Sequence, residues 1–491
     1  MKTDYQAMET DCHFKSFKTQ VIGGHQCSFE SPYGRQKVLY ADWIATGRLY
    51  GPIEKKIVEE VAPFFANTHS FSSETGKITT HIYKEARRII KEHVHAHEDD
   101  ILVTTGSGMT GALSCLQRIM GLRKYQYWGS EEKPVVFISH MEHHSNQVSW
   151  LETHADVVIV PPDKNLKPDA GHLESLLEKY KDRKLKIGSF TACSNVTGEI
   201  VDYKTLAKTM HAHGGLCFID FAASAPYVHM DMHPENKKEQ LDAIFFSPHK
   251  FLGGPGACGV LIFNKKLYGN EAPDHPGGGN VKWTDPWGGY AYFEAIEVKE
   301  DGGTPGILQT IKAALAIRLK EKMNPDLMAV KEEHLIKLFY EELKDVAEIN
   351  YLGDCQAQRI GCIAFNIEGM HYNLVVRLLN DRFGIQVRGG WSCASTYAHY
   401  LFGLDKPSSS VVMKEIDEKN LEHKPGWVRV SLHPTMDAGE VKYIAGALRE
   451  IIRNREDWPK DYRYNPATNE FELLNDVSYP NIRLAEVFDI S

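Results

Sequence analysis

No run of about 18 consecutive apolar residues occurs in this chain, so no membrane-spanning helix is expected. The opening Met1-Lys2-Thr3-Asp4-Tyr5-Gln6 lacks the apolar core of a secretory signal, and a cytoplasmic location is expected. Positive charge is in deficit: 56 Lys and Arg stand against 65 Asp and Glu, a net charge of −9. That balance argues against general binding to nucleic acid or to an anionic membrane, and leaves room only for a local basic pocket. The nine cysteines include no Cys-x-x-Cys pair, so neither a disulfide framework nor a structural zinc site is indicated. Cys115, Cys217 and Cys258 lie in apolar runs and read as core packing. Internal repeats and low-complexity segments are absent as well.

What is present suits a globular enzyme. The 491 residues allow two or three domains, and 42% apolar with 25% charged residues is an ordinary balance. From Ile101 the pattern alternates between short apolar strands and amphipathic helices, the mark of a mostly parallel sheet covered on both faces. Strands are expected at Ile101–Thr105, Val135–Ser139, Asp156–Val160, Lys186–Ala192, Gly215–Asp220 and Gly259–Phe263. The helices of the alternation fall near 106–120, 173–180, 203–213 and 307–320. Beyond residue 321 the order of helix, strand and helix (329–343, 362–367, 372–383) suits a smaller α+β domain. The expected division is an arm over 1–35, a large domain over 36–320, and a small domain with a polar tail over 321–491.

The most informative stretch is Asp242-Ala243-Ile244-Phe245-Phe246-Ser247-Pro248-His249-Lys250-Phe251-Leu252-Gly253-Gly254. A buried strand ends there in a polar knot holding one lysine. A lysine among apolar and small residues loses ammonium hydration, so its pKa falls and its free amine can form a Schiff base with a carbonyl. A surface lysine after an edge strand is the ordinary alternative. Upstream, the strand Gly215-Leu216-Cys217-Phe218-Ile219-Asp220 ends in a carboxylate. Such a group can keep the ring nitrogen of pyridoxal phosphate protonated, or it can simply cap a helix. Thr105-Gly106-Ser107-Gly108-Met109 opens a helix with glycines and hydroxyls, which suits a phosphate as well as a plain turn. His140, His143 and His144 lie close together but in none of the helical zinc-protease orders, and no metal is expected. His93, His95 and His97 read as a solvated helix end.

Asp220 and Lys250, with the Ser247-Pro248-His249-Lys250 context, resemble the class V aminotransferase group of fold-type I pyridoxal phosphate enzymes, most closely its cysteine desulfurase and selenocysteine lyase branch. The matching motifs run from about Tyr40 to about Ser431. The resemblance implies a three-layer α/β/α large domain with a mostly parallel sheet, plus the smaller α+β domain. It assigns Lys250 to the cofactor and to removal of the substrate α-proton, Asp220 to the ring nitrogen, and His143, with His144 as the fallback, to stacking and proton transfer. It places Asn195 at the phenolic oxygen and near the substrate, and Ser107, Gly108, Ser247 and His249 around the phosphate. Thr304 would reach the phosphate of a neighbouring subunit, which implies a homodimer with shared sites. Asp42, with Ala45 and Thr46, resembles the family's entry motif near the substrate pocket.

In the small domain, Arg388 followed five residues later by Cys393 reproduces the loop whose cysteine takes sulfur in desulfurases. A cysteine flanked by glycines and small polar residues is expected in an accessible loop. Arg429, in Gly426-Trp427-Val428-Arg429, matches the residue that holds the substrate carboxylate, for which a planar guanidinium is well shaped. Two positions depart from the family pattern: Ala223 stands where a glutamine or histidine contacts the cofactor oxygen, leaving Ser224 as a possible substitute, and Trp391 stands where a histidine or a small or polar residue is usual. The expected activity is C–S or C–Se cleavage of an L-amino acid, with a sulfur-acceptor protein as a possible partner. The alternatives are transamination, racemisation or β-elimination on the same site, or a scaffold without turnover.

Overall fold

A computed structural model describes residues 2–24, 26–106, 108–123, 133–474 and 484–490. It falls into two compact units. One comprises Ile44–Ala329; the other joins Met1–Trp43 to Val330–Ser491.

The larger unit is built on a seven-stranded sheet. Its strands in chain order are β1 (Asp100–Thr105), β2 (Val135–Ser139), β3 (Asp156–Val160), β4 (Lys186–Thr191), β5 (Leu216–Asp220), β6 (Ala243–Phe246) and β7 (Gly259–Asn264). They lie side by side as β1-β7-β6-β5-β4-β2-β3. All neighbours pair in parallel except β7, which runs against both β1 and β6. β2, β4 and β6 are buried along their whole length, so apart from Lys186 at the start of β4 they read as continuous apolar or small-residue runs and not as alternating ones. Phe137, Phe218, Phe245 and Leu261 are wholly buried, and Trp150 packs on Phe218 with ring centroids 6.3 Å apart.

Helices cover the sheet: α1 (Glu74–His93), α2 (Met109–Ile119), α3 (His144–Leu151) and α4 (Ile307–Met323) among them. In α2 the buried residues Met109, Ala112, Leu113, Leu116 and Ile119 recur at helical spacing and form one apolar face. α1 and α4 pack together, and here the structure departs from the solvated helix end expected at His93. The His93 side chain is only 6% exposed, with Nδ1 3.0 Å from Glu321. Its Nε2 lies 3.1 Å from Lys320 Nζ, which also donates to Val228 O. The charges of α4 on this side are taken up inside the helix pair, which the local sequence around His93 does not reveal.

The smaller unit carries an antiparallel sheet of β8 (Ile349–Tyr351), β9 (Cys362–Ile367), β10 (Arg388–Gly390) and β11 (Trp427–Ser431), in the order β8-β9-β11-β10. Its helices include α5 (Tyr372–Phe383) and α6 (Ser395–Phe402). The N-terminal segment, expected as a polar arm, contains the helix Lys2–Lys18 and the hairpin Ser28–Ser31 with Gly34–Lys37. Phe14 and Phe17 are buried, and Lys18 pairs with Asp437 and Glu440. Two apolar anchors and ion pairs to a distant helix order a segment whose own periodicity is weak.

Candidate active site

In the larger unit, five functional groups lie at or just beyond the carboxyl ends of five strands that point the same way. Gly108 follows β1, His143 follows β2, Asn195 follows β4, Asp220 ends β5 and Lys250 follows β6. Loops at the carboxyl edge of a parallel sheet are where such folds bind ligands, because side chains from non-adjacent strands converge there.

The turn after β1 and the turn after β6 meet directly. Met109 N, at the start of α2, donates to Ser247 Oγ at 2.9 Å. Gly108 holds a φ of +85°, and a Cβ at that position would lie 3.0 Å from Ser247 Oγ and 3.7 Å from the His249 ring. Gly259, where β7 begins beside it, has no room for any side chain: a Cβ would sit 2.2 Å from Gly108 O. Gly108, Ser247 and His249 therefore surround the positive end of α2. Ser107 lies outside the described residues. His249 is fixed from behind by Thr46, whose Oγ1 is 3.1 Å from its Nδ1. Burial, with the nearby Lys250 charge, pushes the His249 imidazole down to about 4, so it is neutral at ordinary pH.

Asp220 is 3% exposed, and its Oδ1 accepts from Ala222 N at 2.8 Å. Burial pushes its carboxyl up to about 6, while that hydrogen bond and the Lys250 charge hold it down. A buried carboxylate whose charged form draws support from one lysine is suited to a second cationic partner. His143 caps α3: its Nδ1 accepts from Ser145 N at 3.1 Å. Ser145 Oγ reaches Thr110 Oγ1 on α2 at 2.7 Å. Beneath it, the wholly buried Glu142 accepts from Ser139 Oγ, Asn146 Nδ2 and Thr191 N, tying β2, α3 and β4 together. Burial carries Glu142 up to about 7, and the nearby Asp220 charge adds to the rise. Asn195 is buried in the loop after β4. Ser224 Oγ is buried without a hydrogen-bond partner among the described residues, and Ala223 beside it is also buried. Thr304 is exposed in the loop before α4.

In the smaller unit, Arg388 on β10 and Arg429 on β11 are direct cross-strand neighbours. Arg429 is 3% exposed and donates through Nη2 to Asp42 Oδ1 at 2.8 Å. Arg388 Nε donates to the other oxygen, Asp42 Oδ2, at 3.0 Å. Cys393 is exposed, in the turn between β10 and α6. Ser392 and Cys393 both hold positive φ, +48° and +58°. Trp391 Nε1 donates to Pro425 O, and Lys424 Nζ lies 4.7 Å from the Trp391 ring centroid. Trp427 Nε1 donates to Ser392 Oγ at 3.1 Å.

Thr110, Ser145 and Glu142 escaped the sequence reading, since a hydroxyl or carboxylate that acts through another side chain carries no local signature, and Thr46 was legible only as part of the entry motif and not as the partner of His249. Asp42 was visible as a motif, but its two arginine partners were not. They stand 346 and 387 residues away.

The residues of the larger unit fit a phosphorylated pyridine aldehyde. A helix start with a hydroxyl and a neutral imidazole suits the phosphate, buried Asp220 suits a protonated ring nitrogen, and Lys250 suits the carbonyl. Comparison with known proteins points the same way. The family profile described as aminotransferase class-V matches residues 39–444. A probable cysteine desulfurase of Pyrococcus abyssi is 27% identical over 428 residues, covering 85% of this chain and 95% of its own length. One of Halalkalibacterium halodurans is 29% identical over 378 residues, covering 74% and 86%. Among solved structures, an apo cysteine desulfurase from Thermococcus onnurineus matches with a TM-score of 0.69 at 24% identity, over 85% of this chain and 95% of that one. The Escherichia coli cysteine desulfurase CsdA matches with a TM-score of 0.67 at 21% identity, over 84% and 94%. These likenesses fix the fold as that of the fold-type I pyridoxal phosphate enzymes. With the profile running through most of the chain and its motifs seated at the carboxyl edge of the sheet, this protein belongs to the class V aminotransferase family.

Proposed function

We propose that the protein is a pyridoxal phosphate-dependent cysteine desulfurase, or acts likewise on selenocysteine, and yields alanine. The observation that carries this reading is the convergence of Lys250, buried Asp220 and the Gly108–Ser247–His249 cradle at the carboxyl ends of the parallel strands. The names of its relatives support the choice of reaction within the family.

Gly108, Ser247 and His249, with Ser107, would hold the phosphate; Asp220 would hold the ring, and Asn195 its phenolic oxygen. Bound there, pyridoxal phosphate supplies the carbonyl for the substrate amine and the electron sink for bond cleavage. Lys250 first anchors the cofactor and then, as a free amine, takes the substrate α-proton. Asp220 keeps a proton on the ring nitrogen. His143, with its Nδ1 held by Ser145, presents an imidazole for stacking and proton transfer. Arg429, with Arg388, anchors the substrate carboxylate. The Cys393 thiolate attacks the substrate sulfur: the S–S bond forms, the C–S bond breaks, and the carbon takes the electron pair and then a proton to become alanine. The persulfide left on Cys393 passes its terminal sulfur to an acceptor, either a thiol reductant or a protein. The working form is a homodimer in which Thr304 completes the neighbour's phosphate site, and the large domain over 36–320 is the cofactor-binding part.

Product analysis tests the reading. Wild-type protein with pyridoxal phosphate, L-cysteine and a reductant should release alanine and sulfide, and Cys393→Ala should release neither above background. Pyruvate as product, or turnover indifferent to Cys393, would instead assign the site to another reaction of the family, such as β-elimination.

A further inference from the structure

Asp42 does more than fill a turn. Its carboxylate lies between two guanidinium groups, one oxygen to each, at 2.8 Å from Arg429 and 3.0 Å from Arg388. The arrangement is built from several sides. Arg388 and Arg429 face each other across the β10–β11 pair. The residue before Asp42 is gripped at both ends: Ala41 N donates to Gln386 O at 2.9 Å, and Ser431 N donates to Ala41 O at 2.7 Å. The residue after it, Trp43, stacks on His433 at 3.9 Å with the rings 17° from parallel. The Asp42 side chain is 12% exposed and that of Arg429 4%, whereas that of Arg388 is 52% exposed.

We propose that Asp42 is a specificity-determining residue which sets the charge of the substrate anchor, so that the site accepts amino acids bearing a single carboxylate and rejects acidic ones. The inference rests on the reading of Arg429 as the carboxylate anchor. Two guanidinium charges against one carboxylate leave the triad with one positive charge. One incoming carboxylate cancels it. A dicarboxylate would leave a negative charge beside the already buried Asp42, where low effective dielectric makes like charges repel strongly. Because Arg429 Nη2 is already committed to Asp42, the incoming group meets a single charge spread over both arginines. Discrimination of this kind works by repulsion against the wrong ligand as much as by attraction for the right one.

Propionate and succinate, which carry no amine and cannot react at Lys250, are the probes. They are titrated into the holoenzyme and followed by NMR of the ligand. Wild type should favour propionate. Asp42→Asn, nearly the same shape without the charge, should shift the ratio of the two dissociation constants about tenfold toward succinate, equivalent to ~1.4 kcal/mol. An unchanged ratio in folded Asp42→Asn overturns the proposal and leaves Asp42 as a brace. Should that variant not fold, Arg388→Met carries the test at a half-exposed position. It makes the triad neutral and should weaken propionate by about tenfold; unaltered propionate binding overturns the proposal. Arg429→Ala separates the two readings: loss of propionate binding supports the anchor, whereas wild-type binding in Arg429→Ala refutes the anchor itself and the charge argument with it.

Discussion

Asp220 shows how one residue can be costly to the fold and valuable to the site. Its buried carboxyl titrates near 6 and not near the ordinary 3.8. The native state without cofactor therefore holds that proton more tightly than the unfolded chain does. Stability is highest below the unfolded value and falls as pH rises through about 4 to 6, and above that window the ionised group costs on the order of 3 kcal/mol. A cation opposite Asp220 removes the cost. Asp220→Asn is expected to raise the melting temperature of the cofactor-free protein at pH 8 and to lessen the fall in stability between pH 4 and 6, the remainder coming from groups such as buried Glu142. The same change should weaken pyridoxal phosphate binding by at least tenfold, roughly 1.4 kcal/mol. Thermal unfolding across pH, paired with cofactor titration by absorbance, checks both. Equal stability of the two proteins at pH 8 would show that Asp220 is not strained by its burial.

At the scale of elements, the turn between β10 and α6 is held more firmly than a short loop needs. Two successive non-glycine residues, Ser392 and Cys393, sit in the left-handed region, a conformation costing on the order of 1 kcal/mol per residue. Trp391 and Trp427 hold it through hydrogen bonds to Pro425 O and Ser392 Oγ, with Lys424 over the Trp391 ring. Trp391→Ala removes one hydrogen bond and one cation–π contact, about 1–2 kcal/mol of loop restraint. The expected outcome is faster alkylation of Cys393 by iodoacetamide, by several-fold, together with slower release of alanine from L-cysteine. A freed loop meets small reagents more often and a bound substrate less well. Alkylation at the wild-type rate would mean that the tryptophan does not restrain the cysteine.

For the whole molecule, the prominent exposed feature is aromatic. The hairpin of Val281–Thr284 with Tyr290–Tyr292 carries Trp283, Trp287 and Tyr290 at 53%, 90% and 63% exposure. Aromatic residues this open favour burial against a partner, and a second copy of the chain is the partner the proposed shared site requires. Light scattering should give a dimer at micromolar concentration, and Trp287→Asp with Trp283→Asp should dissociate it, each anchor being worth on the order of 2 kcal/mol. A wild-type monomer under those conditions would rule out the shared phosphate site through Thr304.

By itself the sequence determined the alternation of strand and helix, hence the parallel sheet, and it offered the two residues on which the proposed chemistry turns. Buried strands announce themselves as apolar runs, and Lys250 and Asp220 stand at the ends of two such runs; their pairing, with the Ser247-Pro248-His249 context, carried the family resemblance. Gly108 was legible as part of a glycine- and hydroxyl-rich helix start, whereas its positive φ emerged only in the structure. The tertiary structure alone decided which distant groups complete the site. Thr46 behind His249, Ser145 against Thr110, and Asp42 between Arg388 and Arg429 are contacts whose partners are separated by tens to hundreds of residues. It also decided that the N-terminal segment becomes a helix through buried Phe14 and Phe17, and that His93 is enclosed beside Lys320. A hydrogen bond or an ion pair is set by where two side chains end up once the strands are ordered in the sheet, and no local pattern in the chain encodes that meeting.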